Sequence, residues 1–307
     1  MAVFTSITFD DLNLWLQQYN LGKLLDFQGI SSGVTNTNYL ITTDSKKYIV
    51  TIFEDTKASE LPFYLNLMAF LSNKGLSCPQ PIFNNAKEYL TSLKNKPALV
   101  VSFLKGHERK NIILNDCFEV GLSLANFHVK GKNFPEKQKN KRGLDWIEAT
   151  FFNLKNNLIA EDIQIISNEI SYQKNNIVDQ LPSGTIHGDL FVDNVLFEAD
   201  NVSGLIDLYY ACHDKYIYDI AIAINDWCLD DDLDIELKKI KSLIDGYESI
   251  KKLDHQEVKA LPKFLRLAAL RFWLSRLNDF HNSREGEEVN IKDPAHFKKI
   301  LLKKIEH

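Results

Sequence analysis

Between Gly184 and Asp207 the chain interrupts an otherwise helical pattern, and this interruption constrains the fold more than any other feature. Helical periodicity occupies about 115–129, 144–157, 162–179, 216–229, 233–250, 255–281 and 294–305. Residues 184–207 read instead as a short strand, a polar loop and a tight strand pair, Asn194-Val195-Leu196-Phe197 and Gly204-Leu205-Ile206-Asp207. Upstream, residues 24–29 and 38–43 read as strands around the turn-rich Ser31-Ser32-Gly33. Tyr48 to Phe53 is a β-branched, apolar third strand, and 97–104 is an apolar run suited to a buried strand. Two helices accompany them. One is opened by Thr8 and Asp11 as an acidic capping box; the other runs from about Ser59 to Lys74 and is stopped by Gly75. The expected class is α+β and bilobal, with a small antiparallel-sheet lobe (1–104), a larger helical lobe (105–307) and a cleft between them.

A length of 307 residues agrees with two cores, because single cores stop growing near ~250–300 residues. At 45% hydrophobic and 25% charged residues the composition is ordinary globular usage. A formal charge of −5 leaves no general footprint for nucleic acid or an acidic membrane, only room for a local basic patch. The first residues lack the basic start and apolar stretch of a signal peptide. No run reaches the ~18–20 apolar residues that cross a bilayer, so a cytoplasmic protein with no membrane or nucleic-acid partner is expected. Cys78, Cys117, Cys212 and Cys228 form no Cys-x-x-Cys pair, which points to buried thiols rather than a disulfide scaffold or zinc site.

The polar loop is His187-Gly188-Asp189-Leu190-Phe191-Val192-Asp193-Asn194, and Asp207 closes the hairpin after it. Phosphoryl transfer needs a carboxylate at the acceptor hydroxyl and hard oxygen ligands that hold Mg²⁺ against nucleotide phosphates. The protein-kinase loop H-R-D-x-x-x-x-N supplies the base and one ligand at this same spacing. Asp189 therefore suits the base, and Asn194 and Asp207 suit the metal, with ATP as the donor. The competing reading is that Asp189, Asp193 and Asn194 only cap turns. His187 is expected to shape the loop backbone rather than react.

This stretch resembles the Brenner-type motif of the aminoglycoside phosphotransferase and choline kinase group, within the protein-kinase-like superfamily, where Gly or Ala replaces the Arg of the protein-kinase loop. A wider set of segments is similar to type II homoserine kinase. They are Gly29 to Gly33 with Asn36 and Asn38, Tyr48 to Glu54, Leu61-Pro62-Phe63-Tyr64, Lys96-Pro97-Ala98, Gly106-His107-Glu108-Arg109, Asp219-Ile220-Ala221, Asn225-Asp226-Trp227-Cys228 and Leu270 to Leu277. The resemblance runs from the first helix to Asp293-Pro294. It implies a protein-kinase-like fold and phosphorylation of L-homoserine on its side-chain hydroxyl, a step of threonine biosynthesis. The alternatives are a kinase for another small alcohol (choline, methylthioribose or an aminoglycoside) and a pseudokinase used as a binding module.

Within that resemblance, Ser32, Gly33, Asn36 and Asn38 are expected at the nucleotide phosphates, and the backbone near Ser102–Leu104 at adenine. The third strand normally carries a phosphate-binding Lys or Arg, and here that position is Thr51. Homoserine also presents a carboxylate and an ammonium, each of which is costly to bury unpaired. Arg271 and Arg276 suit the carboxylate by their bidentate fork, or else form structural ion pairs; five apart on one helix, they do not share a face. Asp226 suits the ammonium, His107 and Arg109 follow the inter-lobe strand toward the acceptor, and Asp219 is read as a buried anchor for the loop. Trp146, Trp227 and Trp273 are read as core.

Overall fold

The computed structural model describes residues 4–30, 36–178, 180–282 and 292–306. Its contacts divide the chain after Lys105 into two compact units. The first is built on a five-stranded antiparallel sheet. In chain order it contains α1 (Phe9–Leu16), β1 (Leu24–Gly29), β2 (Thr37–Thr43), β3 (Lys47–Ile52), α2 (Pro62–Asn73), β4 (Thr91–Leu93) and β5 (Lys96–Ser102), with strand order β1-β2-β3-β5-β4. The capping box at Thr8 forms as expected: the Thr8 hydroxyl accepts from Asp11 N, and the Asp11 carboxylate accepts from Thr8 N, both at 3.1 Å. Helix α1 buries Leu12, Trp15 and Leu16 against Tyr39, Ile41, Val50, Ile52, Ala98 and Val100. Because side chains alternate along a strand, Asn38, Thr51 and Leu99, which are register partners, share the opposite face.

The second unit is helical apart from two strand pairs. It contains α3 (Leu114–Gly131), α4 (Leu144–Leu154), α5 (Ala160–Asn175), β6 (Ser183–Ile186), β7 (Val195–Glu198), β8 (Asn201–Leu205), β9 (Cys212–Lys215), α6 (Tyr216–Trp227), α7 (Leu237–Glu248), α8 (His255–His281) and α9 (Pro294–Glu306). Strands β7 and β8 are the hairpin expected from the sequence, while β6 pairs with β9, a strand the pattern did not mark. Helix α6 is buried along its whole length except at Asp226, so it is the spine against which the other elements pack. The helix expected over 233–250 starts only at Leu237, because Leu229 and Ile235 pair as an isolated β-bridge around a turn capped by the Asp230 carboxylate. All four cysteines are buried outside any disulfide. Among the described residues no helix is long and apolar enough to cross a membrane.

Helices α3 and α7 meet through two glycines. A Cβ at Gly121 would lie 1.9 Å from the Leu243 carbonyl oxygen, and one at Gly246 would lie 2.0 Å from that of Phe118. Neither contact can be relieved by a rotamer change, because the obstruction is backbone. Gly246→Ala should therefore push the two helices apart and destabilise the protein by about 1–3 kcal/mol, despite the better intrinsic helix propensity of alanine. Urea unfolding of the variant against the parent checks this, and an unchanged midpoint would contradict the packing described.

Candidate active site

The site is built on the loop that leaves β6 at Ile186. Gly188 has a φ of 76°, and a Cβ there would stand 2.6 Å from the Tyr210 carbonyl oxygen, so both conformation and space demand glycine. The loop is clamped from below by α6. Asp219, wholly buried, accepts hydrogen bonds from His187 N at 2.7 Å, Gly188 N at 2.8 Å and His128 Nε2 at 3.0 Å. Burial holds His128 below its ordinary pKa, so the ring is neutral. Its Nε2–H donates to Asp219 and its Nδ1 accepts the Tyr247 hydroxyl at 2.8 Å. Burial also pushes the Asp219 carboxyl upward, but the His128 bond, the two histidine rings and the Gly188 N–H together bring it below the usual carboxylate value. Two turns further along α6, the Asp226 carboxylate accepts Val192 N at 2.8 Å, and the Trp227 indole donates to the Leu190 carbonyl at 3.1 Å.

These clamps bring the expected groups together. The Asn194 amide nitrogen donates to the Asp189 carbonyl at 2.8 Å and to its carboxylate at 3.2 Å, while Ile206 N donates to the Asn194 carbonyl at 2.9 Å. That last bond ties the loop to the end of the hairpin, where Asp207 sits in the left-handed region at φ 59°, ψ 58°. A non-glycine residue there stores of order 1 kcal/mol, which the surrounding bonds hold in place. His187 Nε2 donates to the Ile206 carbonyl at 3.0 Å, a backbone-shaping contact.

Arg271, reaching from α8, is only 3% exposed and pairs with Asp189, Nη1 to Oδ1 at 3.3 Å, while its guanidinium stacks on Phe272. Burial raises the Asp189 pKa and Arg271 opposes the rise. Arg276 instead donates to the Asp293 carbonyl at 2.9 Å and lies over the Phe297 ring. Arg109 is committed to Asp116 at 2.9 Å and stacks on Phe197. His107 is exposed, and its backbone exchanges both hydrogen bonds with Phe197. In the other unit, the Thr51 hydroxyl donates to Asn38 Oδ1 at 2.7 Å. The Asn36 Oδ1 is buried without a partner among the described residues, and Ser102 Oγ accepts Gln80 N at 2.9 Å. Leu104 is half-buried, and Ser32 and Gly33 lie outside the described residues. His128, Tyr247 and Lys292 were not singled out by sequence. Each stands alone in its helix or loop without a motif, and only the fold brings it to the site.

Among the described residues no group of three or more His, Cys, Asp or Glu side chains is placed to hold a metal unaided. One carboxylate and one amide oxygen, Asp207 and Asn194, instead fit a divalent ion that takes its remaining ligands from phosphates and water.

Residues 26–253 match the model of the Phosphotransferase enzyme family. The chain is 44% identical over 301 residues to a homoserine kinase of Methylobacillus flagellatus, covering 98% of this chain and 94% of that one. It is 41% identical over 304 residues to a homoserine kinase of Neisseria meningitidis serogroup B, covering 98% and 99%. Among solved structures it resembles the amicoumacin kinase hAmiN in complex with AMP-PNP, Ca²⁺ and Ami, with TM-score 0.73, 14% identity and coverage of 95% and 92%. It also resembles the choline kinase of Cryptosporidium parvum Iowa II, with TM-score 0.69, 17% identity and coverage of 97% and 96%. At those identities the structural likeness concerns the fold, and it agrees with the protein-kinase-like α+β class expected from the loop and the two-part pattern.

The acids of the site are electrostatically frustrated. Its crowded surroundings, then Asp189 and Asp193, push the Asp207 carboxyl from 3.8 up to about 7. The Asp207 side chain is nevertheless exposed, so solvent screens part of that rise. A carboxyl with a raised folded-state pKa binds its proton more tightly folded than unfolded. Its contribution is most favourable below the unfolded value and declines as pH climbs through the folded one. In metal- and nucleotide-free protein, Asp207→Asn should raise the Tm at pH 8 by a few degrees and shrink the difference between pH 5 and pH 8. A lower Tm at pH 8 would show that Asp207 is a structural anion instead.

Proposed function

Because the chain belongs to the phosphotransferase enzyme family, with homoserine kinases as relatives over its whole length, we propose that it transfers the γ-phosphoryl group of ATP to the side-chain hydroxyl of L-homoserine. The product is O-phospho-L-homoserine, and the reaction is a step of threonine biosynthesis. The chemistry is supported by the Asn194 amide bond to Asp189 and by the Ile206 bond to Asn194, which ties the residue before Asp207 to the loop. The acceptor is drawn from the relatives' identity over nearly the full chain.

In this reading Asp189 orients the acceptor hydroxyl and takes its proton as oxygen attacks the γ-phosphorus and the bond to the ADP oxygen breaks. Arg271 holds the Asp189 carboxylate in place and favours its ionised form. The Asn194 amide nitrogen is spent on Asp189, which leaves its oxygen and the Asp207 carboxylate as ligands for Mg²⁺. When bound, that ion neutralises charge on the phosphates. Residues 1–104 would bind the nucleotide, with Ser32, Gly33, Asn36 and Asn38 at the phosphates and the Ser102–Leu104 backbone at adenine. Residues 105–307 would carry the transfer chemistry and the acceptor. Four buried thiols outside disulfides suit the reducing cytoplasm, where we place the reaction.

A coupled ADP-release assay with homoserine beside choline, methylthioribose and serine, with and without Mg²⁺, tests the reading. Homoserine should be the preferred acceptor, and turnover should vanish with EDTA. Asp189→Asn should lower kcat by about 10²–10⁴-fold with the protein still folded, and Asp207→Ala should be nearly inactive. Preference for another alcohol would keep the chemistry and replace the acceptor; wild-type turnover by Asp207→Ala would remove the metal assignment.

A further inference from the structure

A cavity of about 280 Å³ opens beside the catalytic loop, bordered by Val192 and Asp193 of that loop, Asp226 of α6, Arg276 of α8, Glu108 and Lys292. We propose that it binds the head group of an α-amino acid, Asp226 taking the ammonium and Arg276 the carboxylate; this deepens the reading of homoserine as the acceptor and rests on it.

The charges on the cavity wall are unequally committed. Lys292 and Asp193 neutralise each other at 2.6 Å. Arg109, also on the wall, is spent on Asp116 and on the Ala199 carbonyl at 2.6 Å. Of the two further arginines on α8, Arg271 is spent on Asp189 and Arg266 on Glu169. Glu108 is exposed to solvent, which leaves Asp226 and Arg276 as the half-buried charges. Asp226 uses Oδ2 for Val192 N and keeps Oδ1; Arg276 uses Nη1 for the Asp293 carbonyl and keeps the rest of its planar fork. Both border the same cavity, and among the described residues they do not pair with each other. Two opposite charges on one wall match a ligand that carries both charges on a single carbon, since both gain a close partner together only when both ends of the ligand are present.

Placement also links recognition to transfer. Asp226 is the one residue of α6 outside the buried set, and its bond to Val192 grips the loop three residues from Asp189. An amino acid with a terminal hydroxyl is thereby read at its head by the flank of the loop that presents the proposed base. An alcohol with an ammonium alone, such as choline, would leave Arg276 desolvated and unpaired.

Calorimetry with three ligands tests this: L-homoserine; 3-aminopropan-1-ol, which is homoserine without the carboxylate; and 4-hydroxybutanoate, which is homoserine without the ammonium. The full-length protein should bind homoserine about tenfold or more tightly than either truncated ligand. Arg276→Gln should weaken homoserine and 4-hydroxybutanoate by about tenfold or more, and 3-aminopropan-1-ol less than about threefold. Asp226→Asn should show the mirror pattern, losing homoserine and 3-aminopropan-1-ol. Equal losses for all three ligands, no loss, or truncated ligands that bind the parent as well as homoserine would overturn the proposal. If the parent binds with the expected pattern yet does not phosphorylate homoserine, the proposed function fails and the head-group site stands.

Discussion

One buried carboxylate, that of Asp219, organises the second unit. It accepts three N–H donors, two from the backbone of the catalytic loop and one from the His128 ring. The neutral His128 in turn accepts the Tyr247 hydroxyl, so α3, α6 and α7 are joined to the loop by one chain of hydrogen bonds. A buried anion is costly unless every lone pair is used, and here the donors are supplied by the turn it must stabilise. Gly188 is part of the same solution. Only without a Cβ can its N–H reach Asp219 while its Cα lies against the Tyr210 carbonyl.

Satisfaction below the loop contrasts with frustration above it. Burial pushes the Asp226 carboxyl up to about 6 and holds Asp189 above its usual value, while Asp207 is raised in the same direction. Against these stand the fixed charge of Arg271 and the partly exposed pair Lys292–Asp193. Such a surplus of acid costs stability in the unliganded protein. It would suit the proposed binding of a divalent ion and a substrate ammonium, because each arriving positive charge would relieve repulsion already present.

The first unit takes no part in that electrostatic economy through Thr51. A lysine at this strand position would present a charge on the face shared with Asn38, but Thr51 gives its hydroxyl hydrogen to Asn38 instead. An ion pair at the ends of β5 and β3, Lys96 with Glu54, is bonded to Thr37, whose side chain belongs to the face covered by α1. It therefore does not replace the missing lysine on the Asn38 face.

Local chemistry determined much of this protein in advance. The strands at 24–29 and 38–43 around a turn-rich segment, the capping box at Thr8, the helical stretch 255–281 and the loop 187–194 with its hairpin were legible, because each is a short-range pattern whose physics lies within a few residues. Strands β4 and β9, Thr91-Ser92-Leu93 and Cys212-His213-Asp214-Lys215, were not, since neither carries an apolar β-branched pattern of its own and each takes its state from the strand it pairs with. Charge partners were the other hidden part. The spacing of Arg271 and Arg276 said that they face different ways, but only the packing of α8 against α6 and α9 decided that one grips Asp189 and the other borders the cavity with Asp226. The sequence by itself determined which groups exist and which local turns hold them. Tertiary structure decided which charges meet, because contacts such as Arg271 with Asp189 or Lys292 with Asp193 span 82 and 99 residues and depend on the rotation of whole helices.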